Sequence, residues 1–231
     1  MMPFTPVWVS LVALVWFPSP LLTGALGSLQ DPAPLRLTTH PAQDYHPVFS
    51  PDGQTVLFTS QRGEEAGLWT VPSSGGDPAR IPLARTGDLY ADWAPDGESV
   101  VLDLREEHGP PDIYRYFFGN GELRQLTDSP GLDAHPAFSP DGAKVLFTSF
   151  REGREDIWVM SSDGTSPSPV THDEAPDWHP RWSPDGTQVV FTSDRGGDEG
   201  IWFARIRGRI SAISLTSRAE RIAPPGLLTE H

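Results

Sequence analysis

The chain has 231 residues, 37% of them apolar, which is enough for one core of ordinary domain size. Thirty-one acidic against seventeen basic residues give a formal charge of −14, which repels a phosphate backbone and an anionic membrane surface and excludes nucleic acid as a partner. No cysteine is present, so disulfides, thiolate metal sites, a cysteine nucleophile and a cysteine-built lipid anchor are excluded as well.

In chain order, the first element is an apolar stretch from Val7 to Phe17, followed by Pro18, Pro20 and then Thr23-Gly24-Ala25-Leu26-Gly27. Small residues at Ala25 and Gly27 have the spacing of a signal-peptidase site. Residues 1–27 are therefore predicted to be a signal peptide, cleaved before Ser28, with no stable membrane span left afterwards. The run is shorter than the roughly 20 apolar residues a spanning helix needs. Leu35-Arg36-Leu37-Thr38 then reads as an outer strand standing ahead of the first complete repeat.

Four repeats follow. Ser50-Pro51-Asp52-Gly53, Ala94-Pro95-Asp96-Gly97, Ser139-Pro140-Asp141-Gly142 and Ser183-Pro184-Asp185-Gly186 recur at spacings of 44, 45 and 44. Seven residues before each of these prolines stands an aspartate (Asp44, Asp88, Asp133, Asp177), and two before it an aromatic (Phe49, Trp93, Phe138, Trp182). Proline presets φ for a type I turn, aspartate suits the next position, and glycine closes a three-residue hairpin. A buried strand follows each turn, as in Val56-Leu57-Phe58-Thr59 and Val145-Leu146-Phe147-Thr148. Leu68-Trp69, Ile113-Tyr114, Ile157-Trp158 and Ile201-Trp202 open a third strand. Leu126-Thr127, Val170-Thr171 and Leu215-Thr216 end a fourth, with Ile81 to Leu83 as its degenerate form in the first repeat. Four short strands per period make an all-β, β-propeller-type array of four four-stranded blades, at about 44–84, 88–127, 133–171 and 177–216 within a domain of 28–216. Residues 217–231 read as a loose tail.

The unit Asp-x-His-Pro-x-aromatic-Ser-Pro-Asp-Gly, then a buried strand, then Asp-Ile-Trp, resembles the TolB-type, WD40-like propeller repeat over residues 35 to 216. The resemblance implies the fold. It leaves function open, because similar blades occur in periplasmic TolB, in propeller domains of peptidases and in many exported proteins. Such propellers commonly have six or more blades, and TolB's N-terminal α/β domain has no counterpart here. Leu35–Thr38 is also one outer strand too many for a simple closed ring. The array therefore reads as a closed small ring, an open arc, half of a dimeric propeller, or part of a larger gene product.

Candidate sites follow from the blade phase. First strands line the axis, which brings His46, Tyr90, His135 and His179 to a channel mouth with Asp44, Asp88, Asp133 and Asp177 nearby; these eight are the candidate ligand or partner residues. His46, His135 and His179 are an alternative metal set for a lyase or hydrolase. A residue present in every blade is explained more simply by shared architecture. Arg62, Arg105, Arg151 and Arg195 follow the second strands, and Asp112 and Asp156 precede two of the third, so Arg–Asp pairing is expected to tie these loops. Trp69, Trp93, Trp158, Trp182 and Trp202 are expected as core wedges. Glu64, Glu65, Glu106, Glu107, Asp198 and Glu199 would make an acidic rim. No Gly-x-Ser-x-Gly elbow, phosphate loop or His-Glu-x-x-His helix occurs. The sequence thus points to a non-enzymatic, exported module without a cofactor, periplasmic or extracellular, with a protein or peptide partner at one face and a capacity for self-association.

Overall fold

The computed structural model describes residues 33–63, 66–83, 90–105 and 109–206. The predicted signal peptide, Asp88, the expected last strand of the fourth blade and the tail lie outside them, as do Glu64, Glu65, Glu106 and Glu107. Among the described residues there is no α-helix, and no helix long and apolar enough to cross a membrane.

Among the described residues, fifteen strands form four antiparallel sheets. Blade 1 is β1 (Asp44–Phe49), β2 (Thr55–Ser60), β3 (Gly67–Pro72) and β4 (Ala79–Arg80); blade 2 is β5 (Ala91–Trp93), β6 (Ser99–Arg105), β7 (Pro111–Phe117) and β8 (Leu123–Gln125). Blade 3 is β9 (Asp133–Phe138), β10 (Lys144–Ser149), β11 (Asp156–Ser161) and β12 (Ser168–Pro169); blade 4 is β13 (Asp177–Trp182), β14 (Gln188–Ser193) and β15 (Gly200–Arg205). Each is a meander in sequence order. This is the predicted propeller arrangement.

The turn chemistry explains the register. The Ser50 hydroxyl donates to Asp52 Oδ1 (2.6 Å) and accepts from the Thr55 N–H (2.9 Å), while the Gly53 N–H donates to the Ser50 carbonyl (2.8 Å). Gly53 sits at φ +69, where a Cβ would be strained. At the far end of the blade, the threonine that closes the fourth strand is also fixed: Thr127 Oγ1 and Thr171 Oγ1 accept the N–H of Ile113 and Ile157, each at 2.9 Å.

Alternating residues on the two central strands fill the joints between blades. Leu57 and Leu68 of blade 1 pack with Val100, Leu102, Tyr114 and Trp93 of blade 2. Val101 and Ile113 meet Phe138, Val145, Phe147 and Trp158 of blade 3, whose other side places Leu146, Ile157 and Val159 against Val189, Phe191, Trp182 and Trp202 of blade 4. Trp93, Trp158, Trp182 and Trp202 are thus joint wedges, as the sequence indicates, whereas Trp69 packs within blade 1 beside Val56, Phe58, Val71 and Leu37.

Two local expectations change. Residues 35–38 pair with no strand among the described residues; Pro34 supplies no N–H, and Leu37 instead packs on Val56, Phe58, Trp69 and Val71 of blade 1. In the first repeat the fourth strand is Ala79–Arg80, and Ile81 and Leu83 follow it as core residues.

Candidate functional site

The first strands of adjacent blades pack against one another, β1 on β5, β5 on β9 and β9 on β13, and this brings four rings together. His46 stacks on Tyr90 with centroids 3.8 Å apart, Tyr90 meets His135 edge-on at 4.4 Å, and His135 meets His179 at 4.2 Å. Tyr90 and His179 are 5.8 Å apart. The four rings therefore come together as one cluster.

The His-Pro pair explains how. Proline cannot donate to the ladder, so the register shifts between Tyr45 and Val48, and likewise near His135 and between Trp178 and Arg181. The histidine takes up the extra residue in the left-handed region, at φ 53, 56 and 56 for His46, His135 and His179. Such a conformation costs a non-glycine residue about 1–2 kcal/mol. Blade 2 has Tyr90-Ala91 at this place and an unbroken register through Ala91, Asp92 and Trp93.

Blade 2 adds two carboxylates that the repeat does not predict. Asp103 stands where the other second strands have Thr59, Thr148 and Thr192, and it accepts the Tyr90 N–H (2.8 Å) and the His135 N–H (3.0 Å). Asp92 stands where the others have Val48, Ala137 and Arg181, and it accepts the Phe138 N–H at 2.9 Å. Burial raises the Asp92 pKa, opposed by that N–H and by the charge of Arg181. Arg181 itself is exposed and donates to its neighbour's carbonyl, Pro180 O (2.9 Å). The signal for these residues was departure from the repeat.

Burial and neighbouring charge favour the neutral form of His135 and His179. Burial, then the positive neighbours His179, Arg181 and His46, push the His135 pKa down to about 3. Burial, Arg181 and His46 lower that of His179, with Glu199 opposing. The cluster thus combines aromatic rings with the exposed guanidinium of Arg181.

The repeated aspartates have a different place. Arg151 pairs with Asp133 (2.9 Å), Arg62 with Asp44 (3.6 Å), and Arg195 with both Asp177 and Asp173. Asp133 and Asp177 are fully buried and receive serine hydroxyls as well, from Ser149 and Ser193. The same guanidinium groups lie over third-strand tryptophans, Arg62 on Trp69 at 4.3 Å and Arg151 on Trp158 at 4.5 Å. The expected Arg–Asp ties exist, but the partners are first-strand aspartates of the same blade. Asp112 is instead bonded by Thr127 and Gln125, and Asp156 by Arg154. Arg105 is exposed at the end of β6, and Asp198 and Glu199 lie exposed near β15.

Among the described residues, the group of histidine and carboxylate atoms all within 4.8 Å of one another is Glu152, Asp156 and His172, on the outer part of blade 3. Arg154 bonds both Asp156 (2.9 Å) and His172 (3.1 Å), so a guanidinium already supplies the positive charge there.

Comparison with known proteins agrees with this architecture. The TolB beta propeller domain family matches residues 85–175. A relative from Agrobacterium fabrum, described as an uncharacterized protein, is 32% identical over 147 residues, covering 61% of this chain and 48% of the relative. The Tol-Pal system protein TolB of Bordetella parapertussis is 31% identical over 122 residues, 51% of this chain and 27% of its own. The chain thus spans at most about half the length of these curated relatives. Among solved structures, a putative TolB from Agrobacterium tumefaciens superposes with a TM-score of 0.69 at 28% identity, covering 77% of this chain and 68% of the other. An oligogalacturonate lyase in complex with manganese, at 22% identity and a TM-score of 0.55 over 71% of this chain and 48% of its own, shares the fold. Blade pattern, joint packing and these matches converge on a β-propeller that is similar to the propeller of TolB proteins.

Proposed function

We propose that the protein is a non-enzymatic binding module acting outside the cytoplasm, which holds a protein or peptide partner at the channel mouth. The observation that carries this reading is the break in the repeat. Architecture alone asks for the same residue in every blade, yet Tyr90, Asp92 and Arg181 differ at matching first-strand positions and stand around one cluster of rings. Imidazole and phenol rings offer flat faces with hydrogen-bonding edges, and Arg181 adds a charge for a carboxylate. That set suits a peptide segment, whose side chains can lie on the rings and whose carboxylate can meet Arg181. The relative named for the Tol-Pal system supports a partner protein.

A photo-crosslinking residue at Tyr90, introduced in the producing organism, tests the proposal. A discrete adduct with one protein is expected, absent when the same group replaces Asn120 on an outer hairpin. Equal labelling at both places, or none at Tyr90, overturns it.

A further inference from the structure

The three internal joints share one plan. The earlier blade presents an aliphatic seat on its central strands, such as Leu146 and Ile157 in blade 3, both fully buried. The next blade inserts the aromatic that ends its first strand: Trp93, Phe138 or Trp182. Trp182 also donates its indole N–H to the Ala137 carbonyl across the joint, at 3.3 Å.

Both halves of this plan recur at the ends of the array. Blade 4 repeats the seat at Val190 and Ile201, which are 41% and 77% exposed. Blade 1 repeats the wedge at Phe49, 62% exposed. Leu37 already lies on Val56, Phe58, Trp69 and Val71, so Phe49 is the part of that face left uncovered. The blade 1 face forms a cluster of its own with Leu37, whereas Val190 and Ile201 join no core cluster among the described residues, and inter-blade packing runs from 1 to 2, 2 to 3 and 3 to 4. An exposed isoleucine and an exposed phenylalanine on central blade faces are apolar patches that favour association.

We propose that the occupant of the blade 4 seat is Phe49 of a second copy of this chain. The seat has the same residue types and phase as Leu146 and Ile157, and those receive a first-strand aromatic in this molecule. A second copy carries that aromatic in the same exposed state. Two chains placed head to tail make two equivalent Phe49–Ile201 joints and close on a two-fold axis. This association uses neither His135 nor Arg181, so it stands or falls separately from the channel reading.

Light scattering coupled to size exclusion on the purified chain is the test, at low and high micromolar loading. The wild type is expected as a dimer. Phe49→Asp and Ile201→Asp each replace an exposed side chain and are expected to leave the circular dichroism spectrum unchanged while weakening dimerisation at least tenfold. An equimolar mixture of the two retains one wild-type joint and is expected to recover dimers. A wild-type monomer at all loadings overturns the proposal, and this is also the result if the chain's own tail fills the seat. Dimers that survive both substitutions, or a mixture that stays monomeric, overturn it equally.

Discussion

Asp103, on the second strand of blade 2, reaches across the joint to accept the backbone N–H of His135 in blade 3 at 3.0 Å, while its other oxygen holds Tyr90 N in its own blade at 2.8 Å. One buried carboxylate therefore fixes the positions of two of the four channel rings. Asp103→Thr, which restores the residue of the other blades, leaves these N–H groups without that acceptor. A loss of about 1–3 kcal/mol is expected, read as a lower urea midpoint at unchanged m-value. Asp103→Asn keeps one acceptor oxygen and should lose less.

Arg151→Met leaves Asp133 buried without its guanidinium and removes the cation over Trp158. Breaking one side of a buried pair costs about 3–5 kcal/mol, so this variant should unfold at markedly lower urea. Arg124→Met, at an exposed pair with Glu122, is the control and should stay within about 0.5 kcal/mol of wild type.

Stability should respond to pH through His135. In the unfolded chain this imidazole protonates near 6.5, whereas burial and positive neighbours hold it down to about 3 in the fold. Between those values the unfolded state binds the extra proton, so stability falls as the pH drops through this window, by about 1.4 kcal/mol for each unit. The buried carboxyls Asp92, Asp156 and Asp177 act with the opposite sign, because their raised pKa lets the fold take up protons before the unfolded chain does. The informative quantity is the difference between wild type and His135→Asn in urea titrations across the window; asparagine also tolerates the left-handed backbone at this position. The variant should lose less stability on acidification. Parallel curves would show that His135 does not titrate in this way.

Metal content separates binding from metal chemistry at the rings. Purified protein, analysed before and after dialysis against a chelator, is expected to hold no stoichiometric manganese, zinc or iron. About one equivalent, lost in His135→Asn and His179→Asn, would restore the lyase or hydrolase reading.

The blade architecture was legible because its punctuation is local. A Ser-Pro-Asp-Gly turn bonds within itself, and its 44-residue recurrence fixes the phase of Phe49, Trp93, Phe138 and Trp182. The channel ring followed from that phase. Residues whose role depends on another blade were not legible: Asp103 binds His135 N, and Arg181 acts on Asp92, through contacts that no spacing reveals. The arginine partners were misjudged for a related reason. Asp112 and Asp156 are nearer in sequence order to the arginine loops, but antiparallel pairing of the first and second strands sets Asp133 opposite Ser149, beside Arg151. The left-handed histidines arise from the missing proline donor, a consequence of the repeat that becomes visible only as a register shift.

On the proposed reading the repeated Arg–Asp ties hold the fold, Asp103 positions the rings, and the exposed residue that breaks the repeat, Arg181, holds the partner. Two variants measured in both assays test it most directly, Arg181→Ala and Arg151→Met, each for its urea midpoint and for the yield of the Tyr90 crosslink. Arg181 is exposed and Arg151 is tied to a buried carboxylate. Arg181→Ala should keep the wild-type midpoint and lose most of the adduct, and Arg151→Met should lower the midpoint while its folded fraction still crosslinks. Full adduct yield in Arg181→Ala, at a wild-type midpoint, would contradict the claim.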